Sequence, residues 1–479
     1  MRASLLFVAA LAAGAAGQSA DSLARLLVDP PAAAAGDRDA TAREIVARVR
    51  AQPGEPLAEA ALRLLETQLS DLDDPRALAE QVRALDPAAL SAAGLTPMAA
   101  RQLERLQGVL ALAYAPAGEL GADLYPDCLS RFLVLGPLPD VGDPLQQRAE
   151  SPEYADPGFE RAHAAAGLAG AGGEMAHWQP LTRSPLRPFI APDMVQDSPV
   201  GWTLLACGFD APGGPGFVEV ETSASGGGAT SVRGPRAYSL CLNGEPAIVV
   251  DPVGREASAL REHAVVLRSG RNRLMLAVPP GDRTAFAIRL LGPDGRPFAG
   301  IAEARPGDAL GAPLDVQPPA QVPPRSVDVL TAAATRDTDE EALLGLLLAL
   351  DGRPAEGQAH LVAAQQAAPD RPGLAALLAQ RTLVAGYLPE SWRRSRARAL
   401  AEGVLAQDPH WMPMALHVAG LIADEDKEAE SVSKLRELAD ALPERSDALL
   451  QLAGVYRKLD MDAPAEDALR RALDRTPNR

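Results

Sequence analysis

The chain has 479 residues, 47% hydrophobic, 23% charged and only 4% aromatic, with a formal net charge of −17. Such a length exceeds what one hydrophobic core serves and calls for roughly two to four domains. The excess of acid argues against nucleic acid and anionic membrane surfaces as ligands, because phosphate binding needs clustered cations that release counterions. Lysine stands only at Lys427, Lys434 and Lys458, and arginine carries nearly all the positive charge. With the abundant alanine, this reads as coding bias.

The N-terminus has the layout of an export signal. Arg2 gives a charged start, Leu5–Ala13 is an apolar run, and Ala15-Ala16-Gly17 offers small residues for cleavage before Gln18. The run is too short to span a bilayer, no later stretch reaches the ~18–20 uninterrupted apolar residues a span needs, and no cysteine near the cleavage point offers a lipid anchor. The expectation is an exported protein of the periplasm or cell envelope with no membrane span.

From about Asp21 to Tyr125 the sequence is rich in Ala, Leu, Arg and Glu. Ile45 and Val49, then Leu62, Leu65 and Leu69, then Leu78, Val82 and Leu85 repeat at helical spacing, and Met98–Tyr114 is long enough for four turns. Breaks at Pro30-Pro31, Pro53-Gly54 and Pro87 divide the region into short antiparallel helices. At Phe132–Pro137 the character changes to a β-prone segment ending in a turn. A polar Gly/Ala/Pro-rich connection follows, from Pro139 to about Met175.

Strands resume around Trp178, at Val200–Phe209 and at Gly216–Glu221. Gly226-Gly227-Gly228 is a loop and not a phosphate cradle, since neither Gly-Lys-Ser/Thr nor a helix follows it. Tyr238, Leu240 and Leu242 alternate with Ala237, Ser239 and Cys241, the period of a strand with one face on a core. Asn243-Gly244 supplies the positive φ angles of a tight hairpin before Val249-Val250. Ala264–Leu267, Leu274–Val278 and Ala285–Leu291 complete the series, which reads as an antiparallel β-sandwich. Three cysteines, Cys128, Cys207 and Cys241, allow at most one disulfide. Two readings stand: Cys207 and Cys241 bridge across the sandwich, or all three are small buried apolar groups. Prolines 306, 313, 318, 319, 323 and 324 make a stiff linker.

Beyond the linker the sequence is helical and repeats. Pro409, Pro443 and Pro477 stand 34 residues apart. A unit from Ser446 to Pro477 places Leu449, Leu452, Ala453, Tyr456, Ala465, Leu469 and Ala472 where two packed helices need alternating small and large residues. This resembles the tetratricopeptide repeat. The preceding unit matches through Val418, Ala419, Ile422, Leu435 and Leu438, with Ser431 where alanine is usual; an earlier one matches through Leu344, Gly345, Leu348, Gly357, Leu361 and Ala364. Between Pro369 and Pro409 the spacing is 40, which places an insertion at Gly386–Ser391. Four such units suffice to stack a continuous core.

The hairpin at Tyr238–Pro246, followed by Leu267, Gly270, Asn272 and Leu274 in a Leu-x-x-Gly-x-Asn-x-Leu pattern, resembles the galactose-binding-like jelly-roll. Phe132–Pro137 is similar to the strand that opens such domains in planctomycete-type secreted proteins, where they accompany tetratricopeptide repeats. Ala285-Phe286 departs from the resemblance, standing where a tryptophan-centred motif is usual. Sugar binding in that fold implies exposed aromatic platforms with Asn, Asp or Arg at loop tips. Trp178, Trp202, Tyr238 and Asn243 are the candidates, yet Trp202 and Tyr238 lie within strands and Asn243 is needed for its turn.

Catalytic patterns are thin. Cys128 with His163 or His177 lacks a local nucleophile motif, and His410 and His417 lack metal-ligand companions. Asp424-Glu425-Asp426 reads as a solvated turn. The expectation is therefore a multidomain α+β chain: signal 1–17, an α-helical region over 18–125, a jelly-roll-like antiparallel β-sandwich over 126–302, a Pro-rich linker over 303–327 and a tetratricopeptide α-solenoid over 328–479. Its function is that of a non-enzymatic scaffold without cofactor or metal, holding a protein or peptide partner through Asp447, Leu450, Gly454 and Arg457 on the last repeat. The alternative is carbohydrate or envelope-polymer binding by the sandwich through Trp202, Tyr238 and Asn243.

Overall fold

Helices come first, strands next, helices last. The computed structural model describes residues 23–28, 38–69, 72, 74–114, 123, 125–138, 143–145, 168–169, 175–185, 189–191, 201–224, 237–245, 248–250, 260–280, 284–304, 310–320, 324–351, 353–383, 385, 388–409, 411–425, 427–443 and 445–475. The expected export signal and most of the 139–175 connection lie outside them. The chain divides into two units, one comprising 1–110, 324–349 and 354–479, the other 111–323 and 350–353.

In the helical unit, α1 (Leu23–Val28), α2 (Arg38–Ala51), α3 (Ala58–Gln68), α4 (Pro75–Arg83), α5 (Pro87–Ala92) and α6 (Pro97–Tyr114) follow the expected apolar spacing. Pro87 opens α5 instead of only breaking a helix. Its missing N–H costs nothing at a first helical position, and Asp86 caps the helix by accepting from the Ala88 N–H at 2.9 Å. Asp74 caps α4 in the same way through Ala77. Glu66 on α3 accepts from Gln102 at 2.7 Å and pairs with Arg105 on α6.

The later helices are α7 (Ser326–Ala332), α8 (Thr338–Leu350), α9 (Pro354–Ala367), α10 (Pro372–Leu383), α11 (Glu390–Gln407), α12 (Met412–Ala423), α13 (Glu428–Ala441), α14 (Asp447–Lys458) and α15 (Asp462–Arg475). From α8 onward they form four successive hairpins, and Pro369, Pro409 and Pro443 fall in the turns between them. Part of the 40-residue spacing is taken up by α11, which has 18 residues where α9, α13 and α15 have 14. Gly345 and Gly357 lie where α8 crosses α9: a Cβ on Gly345 would stand 2.7 Å from the Gly357 carbonyl oxygen. Ser431, in the position usually held by alanine, donates from its hydroxyl to the Ala419 carbonyl at 2.9 Å. Leu469 departs from expectation. Leu435, 34 residues earlier, is buried in the cluster shared with α14, whereas Leu469 is 44% exposed, and among the described residues no helix follows α15 to cover it.

Sequence reasoning set the first helices apart from the repeats, and the contacts join them. Ser326 at the start of α7 donates its N–H to Glu59 at 2.9 Å and its hydroxyl to the Pro56 carbonyl at 3.0 Å, while the Ala60 N–H donates to the Ser326 hydroxyl.

The other unit holds β1 (Arg131–Leu138), β2 (Leu168–Ala169), β3 (Met175–Ala176), β4 (Gln179–Thr182), β5 (Trp202–Ala211), β6 (Gly214–Ala224), β7 (Tyr238–Leu242), β8 (Ile248–Val250), β9 (Leu260–Leu267), β10 (Gly270–Val278), β11 (Thr284–Leu291) and β12 (Ala302–Ala304). One antiparallel sheet runs β4-β1-β5-β10-β7-β8, with β12 also on β5; another runs β11-β6-β9. Alternation along the strands builds one apolar core between them: Cys207, Phe209, Tyr238, Leu240, Leu274 and Leu276 from the first sheet meet Val218, Val220, Phe286 and Ile288 from the second. Asn243 and Gly244 take φ of 53° and 82° in the expected turn. The beginning of the expected linker belongs to the sheets, since β12 pairs with β5 and Ala312 exchanges backbone hydrogen bonds with Ser269.

The bridge between Cys207 and Cys241 is excluded. Cys207 faces the shared core, while Cys241, at the opposite phase of the pleat, joins Leu204, Ala206 and Met275 on the other side of the same sheet.

Candidate functional site

The first helix of each hairpin supplies the candidate surface. On α14, Leu449, Leu452, Ala453 and Tyr456 are buried, and the Tyr456 hydroxyl accepts from both Nη2 and Nε of Arg436, at 2.6 and 3.0 Å. That leaves Leu450, Gly454 and Arg457, spaced four and three residues apart, exposed on one stripe. Gln451 donates to the Leu416 carbonyl at 2.9 Å and Lys458 donates to the Ala423 carbonyl at 2.8 Å. Both bonds span 35 residues, so α12 and α14 lie side by side and parallel. The less buried residues of α12, Pro413, Leu416, His417 and Gly420, again recur at helical spacing. On α10, Ala376 and Ala379 are buried, Leu377 and Arg381 are half-buried, and Gln380, at the repeat position of Gly420 and Gly454, is exposed.

Of the expected partner-binding residues, Leu450, Gly454 and Arg457 are on this surface. Asp447 is buried, with its carboxylate on the guanidinium of Arg445 at 3.0 Å. Arg381 carries no signal in the sequence, and His417 reads there only as a metal ligand without companions, because the significance of both depends on surroundings: among the described residues the Nε2 of His417 and the Nε of Arg381 are buried without a hydrogen-bond partner. Burial pushes the imidazole and the guanidinium alike below their ordinary pKa values.

The sugar-binding candidates do not converge. Tyr238 is 3% exposed within the shared core, its hydroxyl 2.8 Å from Nε2 of His263. Trp202 and Trp178 pack against the cluster on the other face of the larger sheet. Asn243 locks turns: its side-chain amide nitrogen donates to Oδ1 of Asn272 at 2.8 Å, and its own Oδ1 accepts from the Arg273 N–H at 2.9 Å. Asn272 in turn donates to the Arg268 and Gly270 carbonyls, both at 2.9 Å. The asparagines of the two motifs thus tie adjacent hairpins together. The one exposed aromatic side chain among the described residues is Trp392, on α11.

A second polar group lies on the outer face of the smaller sheet. Arg289 of β11 pairs with Asp127 at 2.9 Å, with Glu219 at 3.0 Å and with Glu221 at 3.5 Å. Burial opposes its charge, and the neighbouring Cys128, Asp127, Glu219 and Glu221 together outweigh that and raise its pKa well above the ordinary value. Burial pushes the neighbouring Cys128 thiol up to about 12, so it is protonated at neutral pH and is no nucleophile. His163 and His410 lie outside the described residues; His177 is exposed. Among the described residues no group of three or more His, Cys, Asp or Glu could hold a metal ion, and no helix is long and apolar enough to cross a membrane. Asp424 and Glu425 lie in the turn after α12, where Glu425 pairs with Arg398 and Lys427.

No family model and no curated relative matches the chain. Among solved structures, a MamA structure from MSR-1 is similar over 31% of this chain and 84% of its own, at 15% identity and a TM-score of 0.26. A thermophilic TPR protein from Thermus thermophilus is similar over 32% of this chain and 82% of its own, at 14% identity and a TM-score of 0.28.

Proposed function

We propose that the chain is an exported, non-enzymatic scaffold whose helical hairpins form a tetratricopeptide-type solenoid and hold a protein or peptide partner across α10, α12 and α14, and whose jelly-roll-like sandwich serves as a structural module. The carrying observation is the open stripe Leu450, Gly454 and Arg457 on a helix whose opposite face is fully packed. A globular bundle would bury such a stripe; an interaction surface keeps it accessible.

Two glycines give the test. A Cβ built at Gly454 on α14 or at Gly403 on α11 meets no atom within 4 Å. Replacing an exposed helical glycine raises stability by about 0.5–1 kcal/mol. Gly454→Gln and Gly403→Gln are both expected to fold with a slightly raised melting temperature. In cross-linked capture from envelope extract, partners held by the full-length chain should be lost with Gly454→Gln and retained with Gly403→Gln. Equal capture by the two variants refutes binding at this surface. Export has its own readout: mass spectrometry of the protein from its native source should find the mature N-terminus at Gln18.

A further inference from the structure

We infer that the outer face of α15 is a self-association surface, on which a second copy of this chain packs its own α15 antiparallel about a two-fold axis. The internal repeat points to it. Leu435 and Ala439 of α13 are buried in the cluster shared with α14. Their counterparts 34 residues later on α15, Leu469 and Leu473, are 44% and 58% exposed, although Ala465, Ala468 and Ala472 on the same helix are buried. Within the array the next helix covers these positions, and among the described residues none follows α15. Asp462, Glu466, Leu469 and Leu473 recur at spacings of four, three and four, so both leucines stand on one exposed stripe. Leucines so placed favour association through the apolar area it removes from water.

Charge complementarity makes a second copy the occupant. Two molecules of net charge −17 repel each other, and the repulsion is least where a face is locally near neutral. On α15 the carboxylates of Asp462, Glu466, Asp467 and Asp474 stand among the arginines Arg470, Arg471 and Arg475. Glu466 and Arg470, both exposed, pair with each other at 2.8 Å along one edge of the stripe. Antiparallel packing reverses their order on the second helix. With the two-fold axis passing between the helices at Leu469, that leucine meets its own copy. Each Glu466 then lies opposite Arg470 of the other molecule, displaced by about 3 Å along the helix axis at 1.5 Å per residue. The edge is therefore complementary to itself, which is what an isologous two-fold contact requires.

Sedimentation velocity on the full-length chain is the test. A reversible dimer is expected, with a dissociation constant on the order of 1 to 100 μM, as suits a small contact. Leu469→Glu combined with Leu473→Glu, at exposed positions, should keep the helical circular dichroism spectrum and weaken the dimer by about tenfold or more. Trp392→Ser, which removes an exposed apolar side chain on α11, should leave the dimer unchanged. A second arm is independent of the leucines. Glu466→Arg alone and Arg470→Glu alone each set like charges opposite one another across the two-fold axis, and each should weaken self-association. An equimolar mixture of these two variants sets a doubly basic edge against a doubly acidic one, and should restore about the original affinity as a heterodimer. A monomer at every concentration, a dimer indifferent to the leucine substitutions, equal losses from Trp392→Ser, or a mixture that associates no better than either charge variant by itself overturns the inference.

Discussion

At Gly345 and Gly357 the backbones of α8 and α9 meet with no room for a side chain. Each glycine costs helix propensity, and the close crossing offsets that cost by burying Leu344, Leu348 and Leu361. Gly345→Ala should therefore destabilise the helical unit by about 1–3 kcal/mol through overpacking, seen as a lowered melting temperature. The same type of substitution at Gly454 should raise it. The sequence shows a glycine at both places, and only the neighbouring helix distinguishes them. Ser431 is a milder instance. Its hydroxyl bond to Ala419 is fully buried, and Ser431→Ala removes this tie between α12 and α13, at a cost of about 1 kcal/mol in chemical denaturation.

Between elements, the two sheets are joined by more than apolar contact. Tyr238 on β7 reaches His263 on β9, and its ring stands edge-on to Phe286 on β11 at 6.0 Å. Burial, with Arg261 adding to it, pushes the imidazole of His263 down to about 4 from 6.5. The folded state thus holds the neutral ring while the unfolded chain takes up a proton below about pH 6.5, so stability rises with pH across this window. The contribution, on the order of 3 kcal/mol, is complete above pH 6.5 and is lost as pH falls towards 4. Denaturation midpoints between pH 4 and 7 should show that slope, and His263→Gln should flatten it. The Arg289 cluster has a different sensitivity. Arg289→Met leaves Glu219 and Glu221 buried without their counter-charge and should cost about 3–5 kcal/mol at neutral pH, as read by urea denaturation. Alternation along β6 shows which side Glu219 and Glu221 face. It does not show that Arg289, 70 and 68 residues away, pairs with them there.

Over the whole molecule, the first and last helices belong to one unit through Glu59 and Ser326. Removing that link by Glu59→Ala should raise hydrogen exchange in α3 and α7 together, read by mass spectrometry on the full chain; a rise confined to α3 would mean that the two ends open independently. The bonds join groups 266 to 270 residues apart, beyond the reach of any periodicity.

The sequence by itself determined the strand alternation of β7 and β10, the Asn243-Gly244 turn, the spacing of the helical hairpins and the stripe Leu450, Gly454 and Arg457. Each depends on neighbours within a few residues or on a fixed repeat, where backbone geometry sets which side chains share a face. The tertiary structure decided that Cys207 and Cys241 face opposite ways, that Asp447 turns to Arg445, that Tyr238 and Asn243 serve core and turn, and that the Nε of Arg381 is buried without a hydrogen-bond partner among the described residues. These outcomes depend on which groups the fold brings within hydrogen-bond reach or shuts away from water, and contacts between segments distant in the chain carry no local signature.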